Sequence, residues 1–141
     1  MKVMLADFHK FIGYSGGIEN VFAKMASALS ERGYDVIAVF ADEKREGEPF
    51  FTVPESVKLL NLYHLPGEKA VKPSGLTKVL REVIRPFSRA AARDQNYRLL
   101  YQAKAQLSRL LEKEKPDVIV SFREPTGRLL LDGVGTQIPV I

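Results

Sequence analysis

The first forty or so residues combine two apolar runs with a helical pattern between them, an arrangement that few folds accommodate. Residues 3–6 are an apolar run that ends at Asp7, and a loop with three glycines follows. Apolar residues then recur at helical spacing: Ile18, Val21, Phe22, Met25, Ala26 and Leu29. Gly33 ends this helix, and residues 36–41 form a second unbroken apolar run, typical of a strand covered on both faces. This order predicts a βαβ unit with a right-handed crossover and a parallel sheet.

The rest of the chain continues the alternation of strands and helices. Further strands are expected at residues 57–63, 117–122 and 139–141. Further helices are expected at residues 76–87, at about 94–114 and at about 126–134. Pro86 lies near the end of the first of these helices, where it kinks or restarts it. Together these elements predict one α/β domain, a three-layer Rossmann-like fold with a mostly parallel sheet.

The glycine-rich loop after the first strand is the strongest local signal of a binding site. Ligands of open parallel sheets bind beyond the carboxyl ends of the strands. Because Gly16 and Gly17 have no Cβ, a phosphate or a sugar can approach their backbone, and the amides at the helix start offer donors to an anion. Glu19, in the first turn of the helix, is a further candidate contact of a diphosphate or an acceptor. The alternative is that both glycines only make a tight turn, with Glu19 complementing the helix dipole. Asp42, after the second strand, is either a ribose-binding acid or a solvated loop residue.

Three other residues are candidates because of their positions. His9 lies in the same loop, where it acts as an acid or base near an acceptor or is an exposed bystander. Arg123 and Glu124 follow the predicted strand at 117–122 and so face the same edge of the sheet. An arginine at that edge clamps a phosphate, unless the two are ordinary loop charges. No catalytic residue is assigned. With no cysteine and two histidines, no metal site is expected.

The order of these motifs resembles the N-terminal domain of the retaining GT-B glycosyltransferases of group one, also called family four. The run from Ser15 to Ala41 is similar to that family's Gly-Gly-x-Glu loop, amphipathic helix and second strand. The runs KPDVIVSF at 115–122 and TQIPVI at 136–141 resemble two of its later strands. The resemblance implies the N-terminal half of a GT-B fold. It also implies that Gly16 and Gly17 lie against the donor diphosphate and the acceptor.

The resemblance further implies a hexosyltransferase. Such an enzyme transfers a sugar, with retention, from a nucleotide-diphosphate sugar to a glycan or lipid-linked acceptor in cell-surface polysaccharide synthesis. The donor is a substrate, and no cofactor or metal is expected. Many relatives carry a histidine after the fourth strand, where this chain has SFRE at 121–124. The family's second domain, with its Glu-x7-Glu motif, is absent from residues 1–141. We therefore expect a truncated, acceptor-side domain that is inactive alone.

A basic segment lies in the middle of an otherwise acidic chain. Residues 69–115 hold twelve Lys or Arg and four acids, a net charge of +8, whereas the other residues carry −4. Four arginines spaced four apart would form one ridge on a continuous helix: Arg81, Arg85, Arg89 and Arg93. With the apolar stripe at 76–87, such a helix lies in an anionic headgroup layer or engages an acceptor pyrophosphate. The alternative is a stripe that packs on the sheet beneath a solvated charged face.

Two other classes of protein stay open. One is an NAD-type or other nucleotide-binding Rossmann enzyme, although the sequence lacks both G-x-G-x-x-G and a P-loop motif. The other is a non-catalytic membrane- or anion-binding module that uses residues 69–115. Nucleic acid is not expected as a partner, since no reader motif or aromatic interleaving occurs. No apolar run approaches the roughly 18 residues of a membrane span. The predicted localisation is cytoplasmic, either free or at the inner face of the cell membrane.

Overall fold

Four parallel strands form the centre of the molecule. A computed structural model describes residues 1–73 and 75–141, with only the backbone described at positions 77, 92 and 95. The strands are β1 (Lys2–Asp7), β2 (Asp35–Phe40), β3 (Lys58–Asn61) and β4 (Val118–Ser121). Their order in the sheet is β3-β2-β1-β4. The strand expected at residues 139–141 is present as a single parallel bridge between Val140 and Ile119.

Helices cover both faces of this sheet. They are α1 (Gly17–Glu31), α2 (Gly75–Ile84), α3 (Arg89–Tyr101), α4 (Lys104–Glu114) and α5 (Glu124–Arg128). A short 3₁₀ turn (Leu62–His64) follows β3, and one π-helical turn (Leu129–Val134) continues α5. The crossover from β1 through α1 leads to β2 on one side of β1, whereas β4 lies on its other side. The point between β1 and β4 is therefore where the strand order reverses, which is where open α/β sheets bind ligands.

The alternation of side chains along β1 divides the core into two layers. Val3 and Leu5 point to the face covered by α1, where they pack in one cluster with Phe22. Met4 points to the opposite face, in a cluster with Leu107 of α4 and residues of α3. Burial of both faces explains why the strands are apolar runs rather than alternating sequences. The predicted three-layer, Rossmann-like α/β fold is confirmed.

The helices between β3 and β4 are broken at two places, and the break at Pro86 was expected. Helix α2 ends at Ile84, and α3 begins after Ser88, whose hydroxyl accepts a hydrogen bond from the Ala91 amide (3.1 Å). Proline has no amide to donate, and a serine N-cap starts a new helix, so the chain turns between them. The helix expected at 94–114 is also two helices, broken at residues 102–103, where Ala103 is fully buried.

Candidate functional site

A cleft of about 720 Å³ lies at the carboxyl ends of β1 and β4, at the point of strand-order reversal. It brings together three of the residues that the sequence singled out, His9, Arg123 and Glu124. The first turn of α1 contributes Ile18, and α3 forms the opposite wall. Because α3 is part of the basic segment, this wall adds Arg93. The cleft therefore joins the predicted ligand edge to one of the predicted basic residues.

Arg123 is the centre of a buried ion cluster behind this cleft. Its Nε donates to Oδ1 of Asp7 at 2.6 Å, and its Nη2 donates to Oε1 of Glu19. Asp7 and Glu19 are only 2% and 1% exposed. The guanidinium thus ties the end of β1 and the first turn of α1 to the end of β4. With two of its three nitrogens engaged, Arg123 holds the site together, and its contact with a ligand phosphate stays a prediction.

Burial sets the protonation of the groups around Arg123. Desolvation raises the pKa of Asp7, against the opposing hydrogen bond and charge of Arg123. Desolvation lowers the pKa of His9, and the positive charge of Arg123 adds to this effect. His9 Nδ1 lies 3.4 Å from Glu19 Oε1 but makes no hydrogen bond. The imidazole at the rim of the cleft is therefore favoured in its neutral form, which is able to accept a proton.

The two glycines of the loop have different surroundings. A Cβ added to Gly16 would collide with the carboxylate of Glu19 and approach the Tyr14 ring at 3.0 Å. A Cβ added to Gly17 would meet nothing within 4 Å, and this residue is exposed beside the cleft. Among the described residues, no side chain makes a capping hydrogen bond at the N-terminus of α1. Gly16 is thus small because Glu19 packs against it, whereas Gly17 leaves the start of the helix open to a ligand.

The loop that carries His9 is held by two buried polar side chains. Asp42 accepts hydrogen bonds from the amides of Phe11 and Ile12 at 3.1 and 3.0 Å. Thr126 accepts one from the Phe8 amide at 2.9 Å. Sequence reasoning gave Asp42 the role of a ribose ligand or a solvated residue, and its burial excludes the solvated alternative. It missed Thr126, because a threonine in a short helix carries no local signal for a partner more than a hundred positions away.

The predicted ridge of four arginines does not form, because the helix ends before Pro86. Arg81 is turned inward and pairs with Glu43 at 2.8 Å. The other three line a separate groove of about 570 Å³ around the turn between α2 and α3, and they are Arg85, Arg89 and Arg93. Arg93 also lines the main cleft, as does Arg128, which stacks 4.1 Å above the ring of Tyr97 and which sequence reasoning missed.

The described residues contain neither a cluster of metal ligands nor a membrane-spanning helix. Within residues 1–73 and 75–141, no three His, Asp or Glu side chains cluster in a way that would hold a metal ion. In the same part of the chain, no helix is long and apolar enough to cross a membrane.

The fold is that of a Rossmann-like domain, with a cleft at the strand-order reversal beside the N-terminus of α1. A family model described as Glycosyltransferase Family 4 matches residues 15–141, so the chain belongs to that family. An uncharacterized glycosyltransferase of Haemophilus influenzae is 34% identical over 74 residues, 52% of this chain and 20% of that protein. The match thus spans one fifth of the relative's length. The family expected from the motifs is confirmed.

Proposed function

We propose that this chain is the acceptor-side half of a retaining hexosyltransferase. It transfers a sugar from a nucleotide-diphosphate sugar to a hydroxyl of a glycan or lipid-linked acceptor in cell-surface polysaccharide synthesis. A second domain of the same enzyme holds the nucleotide, so residues 1–141 bind the acceptor and do not catalyse transfer alone. The reaction takes no metal or other cofactor, in keeping with the expectation from the family resemblance.

The observation that supports this proposal is the open start of α1 beside a basic cleft. The amides of the first turn of a helix carry partial positive charge and lack intrahelical partners. A Cβ added to Gly17 would meet nothing within 4 Å, so the backbone at the start of α1 is open on that side. Arg93 and Arg128 add positive charge to the walls of the cleft. A diphosphate leaving group needs this kind of environment, because negative charge accumulates on it during transfer.

In this proposal the ion cluster and His9 have separate tasks. Arg123 fixes the first turn of α1 against the ends of β1 and β4 through Asp7 and Glu19, so it is a positioning residue. His9 lies at the rim of the same cleft with its neutral form favoured. A neutral imidazole accepts a hydrogen bond from a sugar hydroxyl and so orients the acceptor. Glu124, at the start of α5, lines the cleft as a further acceptor contact.

Substitution Gly17→Trp in the intact enzyme tests the proposal. The indole fills the space through which the diphosphate and acceptor approach, so we expect transfer to fall below detection. Because the site of a Cβ is empty and no positive φ is required, the variant keeps the cooperative thermal unfolding of the wild type. Lys24→Trp, at an exposed position two turns along α1, is the matched control and retains transfer. Normal transfer by Gly17→Trp contradicts the proposal.

Binding measurements separate this proposal from a nucleotide-cofactor enzyme. Calorimetric titration with a panel of nucleotide-diphosphate sugars and with NAD, on the intact enzyme, is expected to show binding of a nucleotide sugar only. Retention is read from the anomeric configuration of the product by NMR. Saturable NAD binding with no binding of any nucleotide sugar favours the other class of Rossmann enzyme.

A further inference from the structure

Helix α2 has its apolar stripe on the outside. Leu76, Val79, Leu80 and Val83 recur at helical spacing and are 70%, 60%, 41% and 57% exposed. Phe87, in the following turn, is 87% exposed. In the part of the chain that the structure describes, nothing covers this stripe. Since apolar side chains of this size are normally buried when they share one face, a contiguous exposed set marks an interaction surface. The alternative in which the stripe packs on the sheet is wrong.

Among the side chains of α2 that the structure describes, the two half-buried ones are Arg81 and Ile84, so these lie on the side turned toward the protein. Arg81 lies on the other face of the helix and pairs with Glu43 at 2.8 Å, its side chain only 20% exposed. Its guanidinium also reaches Asn96 of α3 at 3.4 Å. An amphipathic helix on a protein core is oriented the other way, with its apolar face inward. The ion pair of Arg81 therefore anchors α2 with its apolar stripe outward.

Cations surround the exposed phenylalanine. Arg85 and Arg89 flank Phe87 in sequence, and with Arg93 they line the groove around the turn. Among the residues that the structure describes, these three arginines form no ion pair with a carboxylate. The acid nearest in sequence on α3, Asp94, is paired with Arg98 at 3.1 Å. The turn at Phe87 thus presents one aromatic ring and three guanidinium groups that have no carboxylate partner among the described residues.

We propose that α2 and the turn at Phe87 dock on an anionic lipid surface. The stripe and Phe87 enter the boundary between headgroups and acyl chains, and the three arginines bind lipid phosphates. A lipid surface matches both features at once: a stripe about two turns long and a rim of cations without acidic partners among the described residues. Because the groove shares Arg93 and Asn96 with the cleft, docking places the cleft beside the membrane. The docking itself does not depend on the proposed transfer reaction.

Vesicle sedimentation of the intact protein tests the apolar part of the proposal. The probe is vesicles of equimolar phosphatidylcholine and phosphatidylglycerol, with pure phosphatidylcholine vesicles as the comparison. We expect wild-type protein to sediment with the anionic vesicles only, and Val79→Asp/Val83→Asp to lose at least about tenfold in partitioning. The matched control is Val21→Asp, at a 51% exposed valine of α1, which partitions like the wild type.

The charge part has its own pair of variants. Arg85→Glu/Arg89→Glu is expected to abolish sedimentation at low salt. The control Lys24→Glu/Arg32→Glu makes the same change in net charge on α1 and its C-cap residue and is expected to keep sedimentation. Sedimentation of the wild type falls as salt rises, because surface charge is screened. Circular dichroism is expected to be the same for all variants, since every substituted side chain is exposed.

Three outcomes overturn the proposal. One is that the wild type does not sediment with anionic vesicles at low salt. Another is that Val79→Asp/Val83→Asp and Arg85→Glu/Arg89→Glu both sediment as well as their matched controls. The third is that Val79→Asp/Val83→Asp turns a self-associated wild type into monomers by light scattering without changing lipid binding, which assigns the stripe to a contact between copies. None of these measures sugar transfer, so failure leaves the proposed function standing.

Discussion

The cluster around Arg123 and the surface of α2 are opposites: the first buries paired charges, and the second exposes apolar side chains. In the cluster, Asp7 and Glu19 are almost completely buried and share one guanidinium. On α2 and its turn, apolar side chains are exposed, and three arginines of the turn and α3, Arg85, Arg89 and Arg93, have no carboxylate partner among the described residues. Buried charges are tolerated only when they are paired and hydrogen-bonded, and exposed apolar surface persists when something outside the fold uses it.

The cluster around Arg123 therefore stabilises the site, whereas the surface of α2 is available for an interaction. Removing a member of the cluster leaves a charge buried without compensation, so the cost appears in folding. Removing a side chain from α2 leaves the fold as it was, so the cost appears in an interaction. The four predictions below test that separation, beginning with the largest expected effect.

Arg123→Met is expected to lower the free energy of unfolding by about 3–5 kcal/mol, because it leaves two buried carboxylates without their partner. Urea denaturation followed by circular dichroism measures this. The control is Arg93→Met, the same substitution at an exposed arginine on the cleft wall. It is expected to change the free energy of unfolding by less than about 0.5 kcal/mol. Equal stability of the two variants would show that the cluster does not hold the fold together.

Gly16→Ala is expected to cost about 1–3 kcal/mol, since the added methyl group displaces the carboxylate of Glu19 from its place beside Arg123. The φ angle at Gly16 is −77°, so the cost comes from the collision and not from the backbone. Gly17→Ala, one position later, meets nothing and is neutral or stabilises by up to about 1 kcal/mol. Thermal unfolding of the two variants gives the comparison, and a reversed order contradicts the packing described for Glu19.

His9 gives the cluster a pH dependence. Its pKa is lowered from the ordinary value of 6.5 in the folded protein, so the unfolded chain binds the proton more tightly. Stability is therefore expected to fall as the pH drops below 6.5 toward the pKa of the folded state. The pKa of Asp7 is raised in the folded protein, so the contribution of Asp7 to stability falls as the pH rises above about 3.8.

The variant His9→Gln removes the histidine contribution and leaves that of Asp7. The difference in free energy of unfolding between wild type and variant, measured with urea above and below pH 6.5, isolates the contribution of His9. A difference that is constant with pH would mean that His9 titrates alike in both states.

Phe87→Ala is expected to have the smallest effect, less than about 0.5 kcal/mol, because the ring is 87% exposed. Phe22→Ala is the buried counterpart on α1 and costs about 3–5 kcal/mol. Urea denaturation measures both. A large loss for Phe87→Ala would mean that the ring packs against the protein in solution, and the surface would then belong to the fold.

Much of the fold and part of the site could be read from the sequence. The βαβ unit followed from apolar periodicity and glycines, which act within a few residues, and the motif order gave the family. His9, Arg123 and Glu124 were placed at the correct edge, because strand ends of a parallel sheet meet there. The burial of Glu19 and the separate surroundings of Gly16 and Gly17 were not predicted, since they depend on Arg123 arriving from β4.

What the sequence determined by itself is local: which segments are strands or helices, and which face of each is apolar. The tertiary structure decided how these faces and charges are used. Arg123 meets Asp7 across 116 positions and Glu19 across 104, and no pattern within one element specifies such a pairing. The stripe on α2 has the same periodicity as that on α1, yet α1 lies on the core and α2 faces outward. Periodicity fixes the direction of a side chain relative to its helix axis, and only packing decides what lies in that direction.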